Sequence, residues 1–389
     1  MSAGAKHGLR GQAAIVGAAL AGLGEAPGRS SEDIAVEASV KALAEAGLTT
    51  RHVDAVFGSL PGNANPLSGL LISEMLGLQP KFTDNNRTGG STFLSYTQMA
   101  AMALKEGLCE TALIFYGSNQ RTSSGKLISS VKPFIYEAPY APIFPATSYA
   151  LAASRHMHQY GTTREQLAAV AVAARAWANL NPQAFMRGPL SVADVLASRM
   201  VSSPLTVRDC CLVTDGGAAL VMTTAARARD LPKKPVYLLG AAAATTHMNI
   251  VAMADLTQTA AIDSGRRAFE MAGLAPRDMD LVELYDAFTI NTILFLEDLG
   301  FCKKGEGGAF VASGAIAPGG VLPVNTNGGG LSCVHPGMYG MFTLVEAVQQ
   351  LRGEAGARQV AGAELALCHG NGGVLSSQIT NILGTESTL

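Results

Sequence analysis

The sequence predicts an α/β protein made of two similar domains that face each other. Three observations predict it. Strand, loop, helix and strand signals alternate along the chain, the order that builds sheets covered by helices. That order restarts in the second half. Finally, 389 residues with 48% hydrophobic, 15% charged and 43 glycines exceed one ordinary core and suit tightly packed layers.

The elements follow in order. Ala13–Leu20 is an apolar run of strand length. Ser31 or Asp33 is placed to cap a helix through Gly47, with apolar positions Ile34, Ala38, Leu43 and Ala44. Ala46-Gly47-Leu48 closes it, since glycine ends a helix with least strain. Val53–Leu60 reads as the next strand. The polar, glycine-containing Thr83–Gly90 leads into a helix over Ser91–Lys105, ended by Gly107, and Ala112–Tyr116 is again a strand. From Gln120 to Thr206 the character changes. Prolines 133, 139, 142 and 145 cluster, and a long helical segment covers Glu165–Leu180. This reads as an insertion capping the core and shaping a substrate pocket. Cys211–Met222 returns to core-strand character, with a glycine-bearing bend at Asp215–Gly217.

Pro235–Ala243 is then a strand, Thr257–Gly273 a helix and Asp280–Tyr285 a strand. The restart is visible residue by residue. Ala46-Gly47-Leu48-Thr49-Thr50-Arg51-His52-Val53-Asp54 matches Ala272-Gly273-Leu274-Ala275-Pro276-Arg277-Asp278-Met279-Asp280 in its helix end, turn, Arg and Asp. Asn85–Gly107 corresponds to Asn325–Gly353, and Ala112–Gly117 to Leu365–Gly370. A period near half the chain is too long for a solenoid and indicates a duplicated domain. The junction of two such domains, where the Gly89–Thr92, His335 and Cys368 segments would meet, is where ligand sites are favoured.

Composition excludes several function classes. With a formal charge of −2 and no basic stripe, nucleic acid is excluded as a partner. The longest apolar runs, such as Ala13–Leu23, are too short and glycine-rich to span a bilayer, so a cytoplasmic enzyme is expected. The six cysteines, at 109, 210, 211, 302, 333 and 368, form no CxxC pair and no metal-ligand spacing, so buried reduced thiols and no structural metal are expected.

The richest stretch is Asn325–Phe342, in which two glycine clusters bracket His335-Pro336-Gly337. Glycine lets backbone approach a ligand closely, and a histidine held there is a candidate acid or base. Four motifs in sequence, Asp215-Gly216-Gly217-Ala218-Ala219, Tyr285-Asp286-Ala287-Phe288, Gly328–Gly340 and Cys368-His369-Gly370-Asn371-Gly372-Gly373, resemble those of the thiolase superfamily over essentially the whole chain. The resemblance is strongest to sterol-carrier-protein-type thiolases and lipid-transfer-protein aldolases.

The resemblance implies a five-layered αβαβα thiolase fold, an N-terminal domain over 1–240 with its inserted cap at 119–206, and a C-terminal domain over 241–389. It also implies acyl-CoA thioesters as substrates, no permanently bound cofactor, a homodimer, and a small OB-fold, zinc-ribbon partner protein. Thiolases place a nucleophilic cysteine at the start of the first domain's active-site helix. Here that position falls on Gly90, followed by Ser91, and an acyl-cysteine cannot form. Ser91, lacking a paired base, reads as a helix cap and, with Gly90, as part of the expected oxyanion and substrate-binding set.

By resemblance His335 is the GHP-type histidine, Cys368 the second cysteine that moves a proton at the substrate α-carbon, and the amides of Gly370, Asn371 and Gly372 an oxyanion hole. Tyr285 stands where the aldolases carry tyrosine in Tyr-Asp-x-Phe-Thr. The expected chemistry is aldol or retro-aldol cleavage beside a CoA thioester, with Tyr285 or His335 as base and the Gly90 and Gly370 amides with His335 holding an enolate. Two alternatives stand beside it: an acetyltransferase using Cys368 or Cys333 as surrogate nucleophile, and a non-catalytic acyl-CoA-binding scaffold.

Overall fold

The computed structural model describes residues 8–61, 67–125 and 135–389; Pro133 of the proline cluster lies outside them. The strands are β1 (Ala13–Gly24), β2 (Ala55–Ser59), β3 (Phe82–Asp84), β4 (Thr111–Ser118), β5 (Met200–Ser202), β6 (Leu205–Thr206), β7 (Asp215–Thr224), β8 (Val236–Thr245), β9 (Leu281–Leu284), β10 (Leu365–Gly372) and β11 (Ser377–Gly384). The α-helices are α1 (Ser31–Glu45), α2 (Ser68–Leu76), α3 (Thr92–Lys105), α4 (Gln120–Ser124), α5 (Ala146–Tyr160), α6 (Arg164–Asn179), α7 (Val192–Leu196), α8 (Ala225–Ala228), α9 (Ala261–Ala272), α10 (Thr289–Asp298), α11 (Gly307–Ala312) and α12 (Gly340–Arg352).

Nine strands follow the order β3-β2-β4-β7-β1-β8-β11-β10-β9. The order β2-β4-β7-β1 is repeated by β9-β10-β11-β8, and the halves meet where β1 pairs with β8 at Ala14↔Tyr237 and Ile15↔Val236. α1 packs on the outer face of the first half-sheet and α9 on that of the second. Between the half-sheets lie α3 and α12, which touch each other and strands of both halves, giving the layers of a thiolase fold.

The repeated residues have physical causes. Asp54 accepts the Glu110 and Thr111 N–H groups through its carboxylate, tying the start of β4 beside β2. Asp280 does the same for Glu364 and Leu365 at the start of β10. The matching arginines, Arg51 and Arg277, are exposed and explain nothing. A second pair was not read from the sequence. A Cβ on Gly17 of β1 would lie 2.1 Å from the Ala42 carbonyl of α1, and one on Gly240 of β8 would lie 2.2 Å from the Ala268 carbonyl of α9. Each outer helix thus seats directly on backbone.

Boundaries shift where capping and pairing decide them. The α1 cap is Ser30, whose hydroxyl accepts from Asp33 N–H while Asp33 returns a bond to the Ser30 backbone. Neither Ser31 nor Asp33 is itself the cap. β1 continues to Gly24 because β7 pairs with it that far. Among the helices the sequence reading does not include are α2, α5, α10 and α11; α10 is apolar or buried all round and has no exposed face to set a period.

The inserted region is no loose cover. α5 and α6 pack on α10, and α6 also on α11. The 240/241 division falls inside β8; we propose that the units divide in the connection before Val236. Among the described residues no helix is long and apolar enough to cross a membrane.

Candidate active site

Both central helices start at one place. α3 begins after Gly89-Gly90-Ser91 and α12 after His335–Tyr339. A Cβ on Gly340 would lie 2.0 Å from the Gly90 carbonyl oxygen, so the helix starts abut. A cavity of about 520 Å³ opens beside them, with Gly90, Tyr149, Tyr285, His335, Asn371 and Gly372 among its walls.

His335 is held by its backbone. Its N–H donates to Thr214 Oγ1 at 3.0 Å, and its carbonyl accepts from Gln120 Nε2 at 2.7 Å. The next carbonyl, of Pro336, accepts from the Tyr116 hydroxyl. The imidazole is 2% exposed and lies parallel to the Tyr339 ring. Burial lowers its pKa to about 4, so it is neutral at physiological pH. Nδ1 has no hydrogen-bond partner among the described residues. A hydrogen on Nδ1 leaves Nε2 as an acceptor, and Nε2 lies 3.2 Å from the Tyr285 hydroxyl.

Tyr285 fills the space a nucleophile would need. A Cβ on Gly90 would lie 1.8 Å from Tyr285 Cε2 and 2.5 Å from Cζ. No side chain of any kind fits at 90 while that ring is in place. The ring stands edge-on to His335 and to Tyr339, with centroids 5.6 and 5.8 Å away. Burial raises its pKa well above the usual phenol value, with Cys211 and Tyr149 adding to the effect. A standing tyrosinate is therefore unfavourable, and the neutral imidazole beside the Tyr285 phenol is placed to accept its proton.

Other expected residues are placed differently. Cys368 lies inside β10, fully buried and outside the cavity wall, with its thiol 3.5 Å from the Thr343 carbonyl of α12. Burial, aided by Glu283, pushes that thiol well above the usual range. Cys333 faces a separate small cavity and lies 3.5 Å from Asn181 Nδ2; burial raises it too.

Gly370 stays behind the wall, packed on the Ser91 Cα, while Asn371 and Gly372 reach the cavity. All three belong to the β10–β11 ladder, not to a free loop. Ser91 sits at the N-cap of α3 without capping it: its hydroxyl lies 3.0 Å from Thr88 Oγ1 and 3.1 Å from Ser377 Oγ. His369 is buried in the core, bonded to Thr380 and Gln378.

Four residues emerge that the sequence did not single out for the site. Tyr149 of α5 and Cys211, just before β7, line the cavity. Tyr339 stacks on His335 and donates to Asn327 Oδ1 at 2.9 Å. Asp286 accepts the Gly330 N–H at 2.6 Å and the Leu331 N–H at 3.3 Å, anchoring a π-helical turn at Gly329–Cys333 immediately before His335. Burial raises its pKa to about 7 against the pull of those amides. Only its place in the Tyr-Asp-Ala-Phe motif pointed to it. Among the described residues no three His, Cys, Asp or Glu side chains gather as metal ligands.

Fold and site together define an enzyme built on a duplicated α/β unit, with a phenol–imidazole pair where the halves join. The chain belongs to the thiolase superfamily. Residues 242–385 match the family described as thiolase C-terminal domain-like. The chain is 36% identical to an acetyl-CoA acetyltransferase of Methanothermobacter thermautotrophicus, over 92% of this chain and 96% of that one. It is 35% identical to the 17-hydroxy-3-oxo-4-pregnene-20-carboxyl-CoA lyase of Mycobacterium tuberculosis, over 97% and 100%. Among solved structures, an Ltp2–ChsH2(DUF35) aldolase superposes with a TM-score of 0.88 at 33% identity, covering 97% of this chain and 99% of that chain.

Proposed function

We propose that this enzyme cleaves a β-hydroxyacyl-CoA by a retro-aldol reaction, releasing a ketone or aldehyde and a shortened acyl-CoA. The observation that carries the reading is the Tyr285 ring occupying the space of a Gly90 side chain. The first step of a thiolase is thereby closed, and a proton acceptor stands in its place. The β-hydroxyl proton passes to the Tyr285 oxygen while the phenolic proton passes to His335 Nε2, 3.2 Å away. The β-carbon becomes a carbonyl, the Cα–Cβ bond breaks, and its electron pair enters the thioester as an enolate. The same pair returns the proton to the α-carbon. No charged tyrosine has to persist, and no cysteine forms a bond.

The lyase among the relatives supports this direction, and its steroid acyl-CoA belongs in the substrate panel. The acetyltransferase relative supports the rival reading, but neither Cys333 nor Cys368 reaches the cavity. A homodimer and an OB-fold, zinc-ribbon partner belong to the same proposal. The DUF35 component of the similar aldolase supports a partner chain.

The test is turnover of β-hydroxyacyl-CoAs. Tyr285→Phe and His335→Ala should each lower kcat by about 10²- to 10⁴-fold, the usual worth of a positioned acid or base. Melting temperatures should stay within a few degrees. Unchanged turnover in either variant would remove the pair from the mechanism.

A further inference from the structure

A second polar pole faces the cavity from the inserted region. Tyr149 is 2% exposed, and its ring stacks on Phe288 with centroids 4.3 Å apart. Its hydroxyl oxygen accepts from Asn371 Nδ2 at 2.9 Å, with the Leu375 backbone and the Asn291 side chain also close to it. Asn371 Oδ1 accepts from Gln378 Nε2 at 2.8 Å. Gln378 Oε1 lies 2.9 Å from His369 Nε2, and His369 Nδ1 lies 2.9 Å from Thr380 Oγ1, itself 3.0 Å from Ser264 Oγ.

An amide oxygen only accepts, so His369 Nε2 carries the hydrogen and Nδ1 accepts from Thr380. The hydrogens then all point one way: Ser264, Thr380, His369, Gln378, Asn371, Tyr149. Turning over either amide alone would set donor against donor. Every member is nearly or fully buried, where an unpaired polar group is costly, so only turning both amides together with the other imidazole tautomer would reverse the run.

The phenolic hydrogen is the end of this run. The Tyr149 O–H is left to donate, and the Gly373 carbonyl lies 3.4 Å away, at the far edge of hydrogen-bonding range. Two substrate oxygens change charge in the cleavage. The β-hydroxyl needs an acceptor, which the Tyr285–His335 pair supplies. The thioester oxygen gains negative charge and needs a donor.

Resting on the retro-aldol reading, we propose that Tyr149 is a second catalytic hydroxyl, donating a hydrogen bond to the thioester oxygen as the enolate forms. Asn371, Gln378 and His369 are positioning residues that keep that hydrogen turned to the cavity. The hydrogen stays on Tyr149; nothing is transferred.

Tyr149→Phe tests this, assayed in the enzyme as isolated with any chain that co-purifies. kcat for β-hydroxyacyl-CoA cleavage should fall about 10²- to 10³-fold, the worth of one oxyanion donor, with KM within about threefold. Gln378→Glu separates positioning from structure. A carboxylate there accepts on both sides, so Asn371 turns over and captures the Tyr149 hydrogen. Its kcat should fall in the wild-type background and change less than about threefold in the Tyr149→Phe background. Equal losses in both backgrounds, or a Tyr149→Phe enzyme with kcat within about threefold of wild type, would overturn the assignment while cleavage itself stands. A wild-type enzyme that releases no ketone or aldehyde from the panel would overturn the retro-aldol reading and this inference with it.

Discussion

Tyr285 and Gly90 are a mutually exclusive pair at the scale of single residues. With a 90 Cβ 1.8 Å from the Tyr285 ring, Gly90→Cys should not restore a nucleophile. It should instead destabilise the fold by about 1–3 kcal/mol or more through overpacking. Gly90→Cys with Tyr285→Ala should recover much of that loss in a thermal melt; additive losses would show that the two sites do not share the space. His335 gives a pH prediction. Its folded pKa of about 4 lies below the ordinary histidine value of 6.5, so the unfolded chain binds a proton first as pH falls. Stability from this group is complete above about pH 6.5 and is lost between there and about 4. In an Asp286→Asn background, which removes the carboxyl that titrates near 7, cleavage should hold level from pH 8 down to about 5 and then fall as the imidazole protonates. An acid limb with a midpoint near 6.5 in that background would contradict a buried, neutral His335.

At the scale of elements, the π-helical turn at Gly329–Cys333 sets where His335 points, and Asp286 holds the turn. Asp286→Ala leaves two buried N–H groups without their acceptor, which should cost about 1–3 kcal/mol. Activity should fall although Asp286 touches no substrate. A variant with wild-type melting temperature and turnover would show that the turn holds itself.

Element scale also explains what could be read from sequence. Asp54 and Asp280 announced the repeat because each performs the same strand-joining task. His335 stood out because glycine and proline surround it. The place of Cys368 could not be read because successive strand residues point to opposite faces: its thiol faces the Thr343 carbonyl of α12, whereas Asn371 reaches the cavity. Tyr149 was illegible because its partner Asn371 is 222 residues away and the packing of α5 was unknown.

For the whole molecule, duplication creates the site and divergence between the halves selects the chemistry. The first half contributes the glycine loop before α3, the second Tyr285 and His335, and the insertion Tyr149. The molecule has a phenol–imidazole pair beside Gly90, and the proposal that this pair carries the protons of the cleavage is the central claim. It is tested most directly by incubating the enzyme with the β-hydroxyacyl-CoA panel and measuring products and intact protein by mass spectrometry, wild type beside Tyr285→Phe. The account predicts equimolar carbonyl compound and shortened acyl-CoA from wild type, no acyl adduct on any cysteine, and the loss of both products in Tyr285→Phe. An acyl group carried on a cysteine, or cleavage that survives the loss of the Tyr285 hydroxyl, would contradict it.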